Sequence, residues 1–549
     1  MKFTKILLGA LATTALASCA DLDTEILDGY VSTEQKQEVL DLNPDMASAS
    51  VMGVFSQFFN IFTISSQHLD FEYPAVMLGM DSMGTDLIGK NSGYNWFASY
   101  EGYQGNSPDG WRAAQLWLYQ YAKIKTANSL VASIPADTDE AKLKFFRAQG
   151  LAARAFEYWT LAQCYQFNYV DHLNSPCVPL ITDENELEVA EKGAGRATVA
   201  AVYEQIMKDI NEAIELLAAS EVKPESIIGE KPKRMISLAT AYGLRARFNL
   251  TMEKWADAAS DATQAITIFS GKPYSIKDVS KPGFTSINDE PWMWGIAINE
   301  TDYGIAGGSI VNWPSMACSF SHGYTDQGGA WRWCSKILYE WIPSTDVRKG
   351  WFLDANRKSV NLSEEQQEYI DGFVLGAPTY GDDQSKNIMP YTNVKFNSYQ
   401  GVLGQSLNAS DIPMMRVEEM YLIKAEGEAM SGNTSGAKET LNGFVRTYRD
   451  PAYSCLSTTA ADIQNDVWMQ RRVELWGEGL SFFDIMRLKK NIDRRGHKFP
   501  RAFVFNIEYN SEGGNVLLFC IPYDEIAANP ALTKDDNNKT MPTPTVVSD

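Results

Sequence analysis

Histidine and cysteine are scarce in this chain. Of 549 residues, seven are cysteine and four are histidine. No two cysteines form a CxxC pair, and His68, His172, His322 and His497 are scattered, so a zinc site is excluded. Cys19 aside, Cys164, Cys177, Cys318, Cys334, Cys455 and Cys520 are too few for a disulfide scaffold. Cys164 with Cys177, or Cys318 with Cys334, lie near enough in sequence to pair, and buried free thiols fit at least as well. Basic charge is also short: 48 Lys and Arg stand against 69 Asp and Glu, a net charge of −21. Such a chain repels phosphate backbones, which excludes nucleic acid as a partner.

No apolar run is long enough to span a membrane, for which about 20 residues are needed. The uncharged stretch from Met46 to Leu69 is broken by serines, Asn60 and Thr63. Its Val51, Val54, Phe55, Phe58, Phe59 and Phe62 recur at helical spacing, which predicts an amphipathic helix packed on protein. Catalytic signatures are missing too. There is no serine elbow, phosphate loop or metal-ligand spacing, and no carboxylate pair sits in an acid–base motif. The composition therefore points away from an enzyme and requires no cofactor. Asp382 and Asp383, after Tyr380-Gly381, could hold a structural calcium ion, or form a solvated acidic turn.

What is present begins at the N-terminus. Lys2 and Lys5, an apolar run from Ile6 to Leu16, and Leu16-Ala17-Ser18-Cys19 have the order of an export signal. The ending is similar to a bacterial lipoprotein box, which makes residues 1–18 a cleaved signal peptide and Cys19 the lipidated residue. Each buried methylene of an acyl chain contributes roughly 0.8 kcal/mol, and two or more chains anchor a protein durably in a bilayer. Residues 19–40 read as a tether and 41–549 as the folded part.

The folded part is predicted to be mainly α. Helical stripes run over Ala113–Ile134, Lys142–Gln166, a segment from Thr198 to about Ala218, Asp462–Gly477 and Ile521–Asn529. Two segments repeat one another. Ala246 precedes Ala258, Ala262 and Ala265 with the same spacing by which Ala425 precedes Ala437, Leu441 and Phe444. That spacing resembles the tetratricopeptide repeat, in which small residues let two antiparallel helices touch. From about 271 to 411 the pattern changes to prolines, glycines and short β-type runs such as Trp292–Ile298. This loop-rich stretch, which holds seven of the fourteen tryptophans, is the expected ligand-binding part, because function concentrates on loops held by rigid elements.

Several blocks resemble those of the SusD/RagB family of nutrient-binding lipoproteins. Arg416-Val-Glu418-Glu-Met-Tyr421-Leu-Ile-Lys-Ala425-Glu426 is similar to one family signature. Arg471-Arg472-Val-Glu474 through Gly477-Glu478-Gly479, Asp484 and Arg487 is similar to another, and Ile521-Pro522 through Asn529-Pro530 to a third. Arg147–Tyr165, Trp117–Asn128 and Arg196–Tyr203 with Asp209 match further blocks in order. The resemblance covers essentially the whole chain. It departs at Ser481, where many members have arginine, and at Thr533–Asn537, which replaces the usual Gln-Asn-Pro ending. It implies tetratricopeptide-like helix pairs around an irregular binding part, with no catalysis. It also implies a surface-exposed outer-membrane lipoprotein that passes an oligosaccharide, or in one branch a peptide, to a TonB-dependent, SusC-like transporter. A helical-repeat adaptor at the same location is the alternative.

The charged signature residues are expected to bond neighbouring helices to one another. A sugar needs aromatic rings against its C–H face and a few polar groups for its hydroxyls. Aromatics in loops without helical spacing are the candidates: Trp96, Trp313, Tyr303 and Tyr324, with Asn95, Asn312 and Asp81 as polar partners. Trp117, Trp159, Trp255, Trp294 and Trp476 are expected in the core.

Overall fold

A computed structural model describes residues 47–105, 107–380, 386–510 and 516–549. The signal peptide, Cys19, the tether, and Asp382 and Asp383 lie outside the described residues. The chain is mainly helical. Its principal helices are α1 (Ala47–Ser56), α2 (Tyr73–Met83), α3 (Trp111–Ala132), α4 (Ala141–Tyr165), α5 (Val199–Ser220), α6 (Leu238–Thr251), α7 (Trp255–Phe269), α8 (Val417–Met430), α9 (Thr434–Tyr448), α10 (Ala460–Glu474) and α11 (Ser481–Arg487). From α3 to α8 each helix packs on the next in sequence, and α8 also carries α9 and α10. This is the stacking of a helical-repeat scaffold.

The sequence explains the stacking. In α5, Val199, Val202, Ile206, Ile210, Ala213 and Leu217 form a buried stripe at helical spacing, and Thr198 caps the helix by accepting from the Ala201 amide at 3.2 Å. The two repeated segments form the hairpins α6–α7 and α8–α9. Ala246, Ala258, Ala262, Ala265, Ala425 and Ala437 are fully buried at the helix contacts. At Gly427 the backbone of α8 meets α7 so closely that a Cβ would stand 2.5 Å from the Trp255 carbonyl oxygen. The repeat spacing is thus a consequence of close helix approach.

Two small antiparallel ladders join the irregular residues to this scaffold. Strand β1 (Leu87–Gly89) pairs with β3 (Arg332–Cys334), with Ile88 opposite Trp333. Strand β2 (Trp292–Ile296) pairs with β4 (Ile412–Arg416), with Trp292 opposite Arg416 and a register shift on each side of Trp294.

Beside β4 lies a buried ionic cluster. Glu474, at the end of α10, accepts from Arg449 Nε at 2.7 Å, from Arg416 Nη1 at 3.1 Å and from Arg348 Nη1 at 3.2 Å. Arg416 also holds Glu478 at 2.8 Å and Glu418 at 3.1 Å, and Lys395 donates to Glu478 at 2.7 Å. Burial alone would raise the Glu474 carboxyl, but Arg449, then Arg416 and Arg348, outweigh it and hold it well below its ordinary value. The signature residues are therefore bonds between segments, as expected.

Two expectations need correction, and one left open is decided. The helix expected across Met46–Leu69 stops at Ser56. Beyond it Asn60 accepts from the Ile61 amide, and Asp70 accepts from the amides of Ile64 and Ser65. These short polar side chains compete with helical hydrogen bonds and turn the chain. The tryptophans of 271–411 are mostly core: Trp292, Trp294, Trp313, Trp331, Trp333 and Trp351 are buried, and Trp341 alone of the seven is exposed. Irregular backbone needs bulky fillers, and several indole N–H groups donate to carbonyls, as Trp351 does to Val279 at 2.9 Å. The six cysteines are free and buried, with no disulfide between them. Among the described residues no helix is long and apolar enough to cross a membrane.

Glu474→Gln should destabilise the protein by about 3–5 kcal/mol in chemical denaturation, because it strands buried guanidinium charge. Glu188→Ala, in an exposed pair with Lys192, should change stability by less than about 0.5 kcal/mol. Equal effects would mean that the cluster does not hold the fold.

Candidate functional site

Three chain segments bring their aromatic rings together at one surface. The first is the turn between α1 and α2, carrying Phe62 and His68. The second follows β1 and carries Tyr94 and Trp96. The third precedes β3 and carries Tyr324. His68 stacks on Trp96 with centroids 4.8 Å apart and planes 27° from parallel. Its Nδ1 is hydrogen-bonded to the Tyr324 hydroxyl. Tyr324 stands edge-on to Trp96 at 6.4 Å, Tyr94 lies 6.4 Å from Tyr324, and Phe62 lies 5.9 Å from His68. Phe62 is 38% and Tyr94 54% exposed, so the cluster faces solvent.

The supports of this cluster are rigid. Tyr119 of α3 donates to Asp70 at 2.6 Å, and Lys123 donates to Glu72 at 3.3 Å, pinning the turn that holds Phe62 and His68. Phe62 itself adopts a left-handed φ of 56°, a strained conformation for a bulky residue. Tyr94 fits because position 328 is glycine, where a Cβ would stand 3.0 Å from Tyr94 Cβ and 2.8 Å from the Tyr324 carbonyl oxygen. β1 and β3, paired to one another, deliver the second and third segments side by side.

The cluster carries no formal charge. Burial lowers His68 from its ordinary value, so the ring is neutral at pH 7, and burial raises the Tyr324 hydroxyl, partly offset by Trp96. Flat apolar faces with a few hydroxyl and imidazole atoms suit the C–H face and hydroxyls of a neutral sugar.

The seven candidate positions divide. Trp96 and Tyr324 stand together in the cluster. Tyr303 is 72% exposed on a neighbouring loop, and the next residue, Gly304, packs so closely on Ile61 that a Cβ would stand 2.7 Å from its Cγ2. Asn95 is buried; it donates to Glu101 at 3.1 Å and accepts from the Phe97 amide, which shapes the turn under Trp96. Asn312 is buried and caps the short helix Trp313–Ala317, while its amide donates to Ser309 and Gly304 carbonyls and secures the Tyr303 loop. Trp313 lies in the core, edge-on to Phe396 at 4.8 Å. Asp81 is also interior and accepts from the amides of Gly479 and Ser481, and burial pushes its carboxyl up to about 7.

Phe62, His68 and Tyr94 belong to the cluster without having been singled out by the sequence. A helical reading of 46–69 hid the first two; the polar residues Asn60, Thr63, Ser65 and Ser66 were the signal for a turn. Among the described residues no group of His, Cys, Asp or Glu could hold a metal ion. A cleft of about 660 Å³ lies elsewhere, lined by Leu217, Met235, Leu238, Phe269 and Met293 among others. Phe269 supplies its one aromatic ring, so the cleft offers no stacking platform.

A helical-repeat scaffold bearing an uncharged aromatic surface defines a binding protein. Comparison with known proteins gives its family. A family described as starch-binding and associating with the outer membrane matches residues 39–250, and the SusD family matches residues 324–538. The chain belongs to the SusD/RagB family, whose members bind carbohydrate and are not enzymes. Among solved structures, a SusD-like carbohydrate-binding protein from Bacteroides vulgatus ATCC 8482 is 22% identical with a TM-score of 0.70, over 90% of this chain and 98% of that one. A SusD superfamily protein from Bacteroides thetaiotaomicron VPI-5482 is 20% identical with a TM-score of 0.68, over 90% and 99%. Surface glycan-binding protein A from Bacteroides thetaiotaomicron, in complex with laminarihexaose, is 18% identical with a TM-score of 0.61, also over 90% and 99%. At these identities the likeness is one of fold. No curated protein matches the chain significantly.

Beneath the cluster, in α4, Glu157 is fully buried and neither carboxyl oxygen has a hydrogen-bond partner among the described residues. Burial pushes it up to about 8, against the pull of Lys123. The folded state keeps this proton to about pH 8, whereas the unfolded chain releases it at about 4.3, so stability falls as pH rises across that window because only the unfolded state gains by ionising. Relative to the wild type, Glu157→Gln should gain a few kcal/mol of stability between pH 5 and pH 8, at most about 1.4 per pH unit. A constant difference across that range, by denaturant titration, would show that Glu157 is ionised in the fold.

Proposed function

We propose that this protein is a surface-exposed lipoprotein, anchored through acylated Cys19, that captures an oligosaccharide or polysaccharide. It hands the glycan to a TonB-dependent, SusC-like transporter in the same outer membrane. The observation that carries the reading is the neutral aromatic surface of Phe62, His68, Tyr94, Trp96 and Tyr324, assembled from three segments and held by Asp70 and the β1–β3 ladder. Tyr303, on the adjoining loop, extends the aromatic surface available to a chain of several sugars. Asn95 and Asn312 act by positioning these loops. The family and the N-terminal lipobox support location and partner, and the laminarihexaose held by one structural relative makes β-glucan oligosaccharides the first ligands to try.

Tryptophan fluorescence or calorimetric titration of the chain from residue 20, against a panel of neutral glycans, tests the reading. One glycan class should bind, with no product released, and Trp96→Ala or His68→Ala should weaken it at least about tenfold, the loss of roughly 1.4 kcal/mol of stacking. Binding that persists unchanged in both variants would place the site elsewhere. A response confined to peptides, lost on Phe269→Ala in the helix-lined cleft, would favour the peptide-binding or adaptor alternative. In cells, Cys19→Ala should leave the membrane fraction. Retention there in the absence of the transporter would contradict the lipid anchor.

A further inference from the structure

Buried arginines in this fold mostly meet acceptors. Arg348, Arg416 and Arg449 meet carboxylates. Arg494 stacks on Phe499 at 4.4 Å and Tyr103 at 5.0 Å, and gives its N–H groups to the carbonyls of Ser82, Met83, Gly84 and Phe503, among others. Arg112 is different. It is 1% exposed, and among the described residues Nε, Nη1 and Nη2 all lack a hydrogen-bond partner. Its Cζ lies 4.8 Å from the Phe519 ring centre and 5.6 Å from that of Tyr100.

Among the described residues no carboxylate pairs with it. The groups that act on Arg112 are the hydroxyls of Tyr100 and Tyr103 and the thiols of Cys164 and Cys520. Tyr100 and Tyr103 already donate elsewhere, to Gln115 Oε1 and to the Met83 carbonyl. Arg494 donates to the Tyr103 hydroxyl at 3.4 Å and so adds a second positive charge beside that residue. Glu101, the acid of this neighbourhood, is paired with Arg332 at 3.1 Å. Arg112 also sits in the first turn of α3, a 22-residue helix whose N-cap, Gly110, provides no side-chain cap. That is the helix end where cations are disfavoured and anions are attracted.

A guanidinium keeps its charge at neutral pH and presents five N–H donors in one plane. Aromatic rings cover its faces and satisfy none of those donors. Water could accept from them, but it would leave the buried charge uncompensated, which is the costlier deficit. We propose that Arg112 forms, with the start of α3, a closed binding site for a small monovalent inorganic anion of the size of chloride. The near-complete burial excludes bulky or polymeric anions.

Crystals of the protein soaked in bromide should show an anomalous peak at hydrogen-bonding distance from the Arg112 guanidinium. In solution, chloride is varied at constant ionic strength with gluconate as the replacement. The unfolding equilibrium constant of the wild type should then fall about tenfold for each tenfold rise in chloride once the site saturates. Arg112→Met, close in length and uncharged, should show no chloride dependence. Water alone at the guanidinium, or an equal halide response in both proteins, would overturn the site. A bromide peak without chloride dependence in solution would mean binding at crystal concentration only and would also count against it. The soak and the wild-type titration stand even if the variant fails to fold.

Discussion

The carboxylate of Glu474 is the point on which this fold turns. It lies at the end of α10, yet its three guanidinium partners come from β4, from the residues after α9 and from the irregular stretch near 348. A carboxylate with no exposure is tolerable only if its oxygens are filled by donors, and arginine supplies them in a fixed planar fork. The cluster therefore sets the position of the irregular part against the helical scaffold. Lys395 adds a further tie, donating to the carbonyls of Glu474 and Trp476 while three aromatic rings surround it at about 5 Å.

Fixing that junction has consequences at the surface. The β1–β3 ladder and the Asp70 turn deliver aromatic residues from distant parts of the sequence to one place. Because the backbone beneath is tied, the rings are presented with little freedom left to lose on binding, which favours even weak stacking on a sugar. The five rings carry no charge themselves, and Asp70, Glu72 and Lys123 beneath them are held in hydrogen bonds and an ion pair, consistent with a neutral ligand.

Glu157 and Arg112 show the other side of burial. Each is enclosed without a matching partner, and the two groups escape the cost differently. A carboxyl can take up a proton and become neutral, whereas a guanidinium cannot at ordinary pH. The same physics that makes Glu474 a structural bond makes Glu157 a pH-dependent weakness and makes Arg112 attract an anion.

Much of this was legible in the sequence. Outside Met46–Leu69, periodicity located the helices it marked to within about three residues, as in Ala113–Ile134 against the observed Trp111–Ala132, because the apolar stripe of a helix is set by local geometry. The alanine spacing revealed the hairpins, and the charged signatures marked the junction. The site was legible only in part. Trp96 and Tyr324 were singled out by their loops and stand in the cluster, but Trp313 in an equally irregular segment is core, and Phe62 and His68 were concealed by apparent helical spacing. By itself the sequence determined where most of the long helices lie, that the two repeated segments form hairpins, and that a fold of this family results. Whether a given loop aromatic faces solvent or fills the interior was decided by the tertiary structure alone. Burial depends on contacts between residues far apart in the chain, and no local pattern records them.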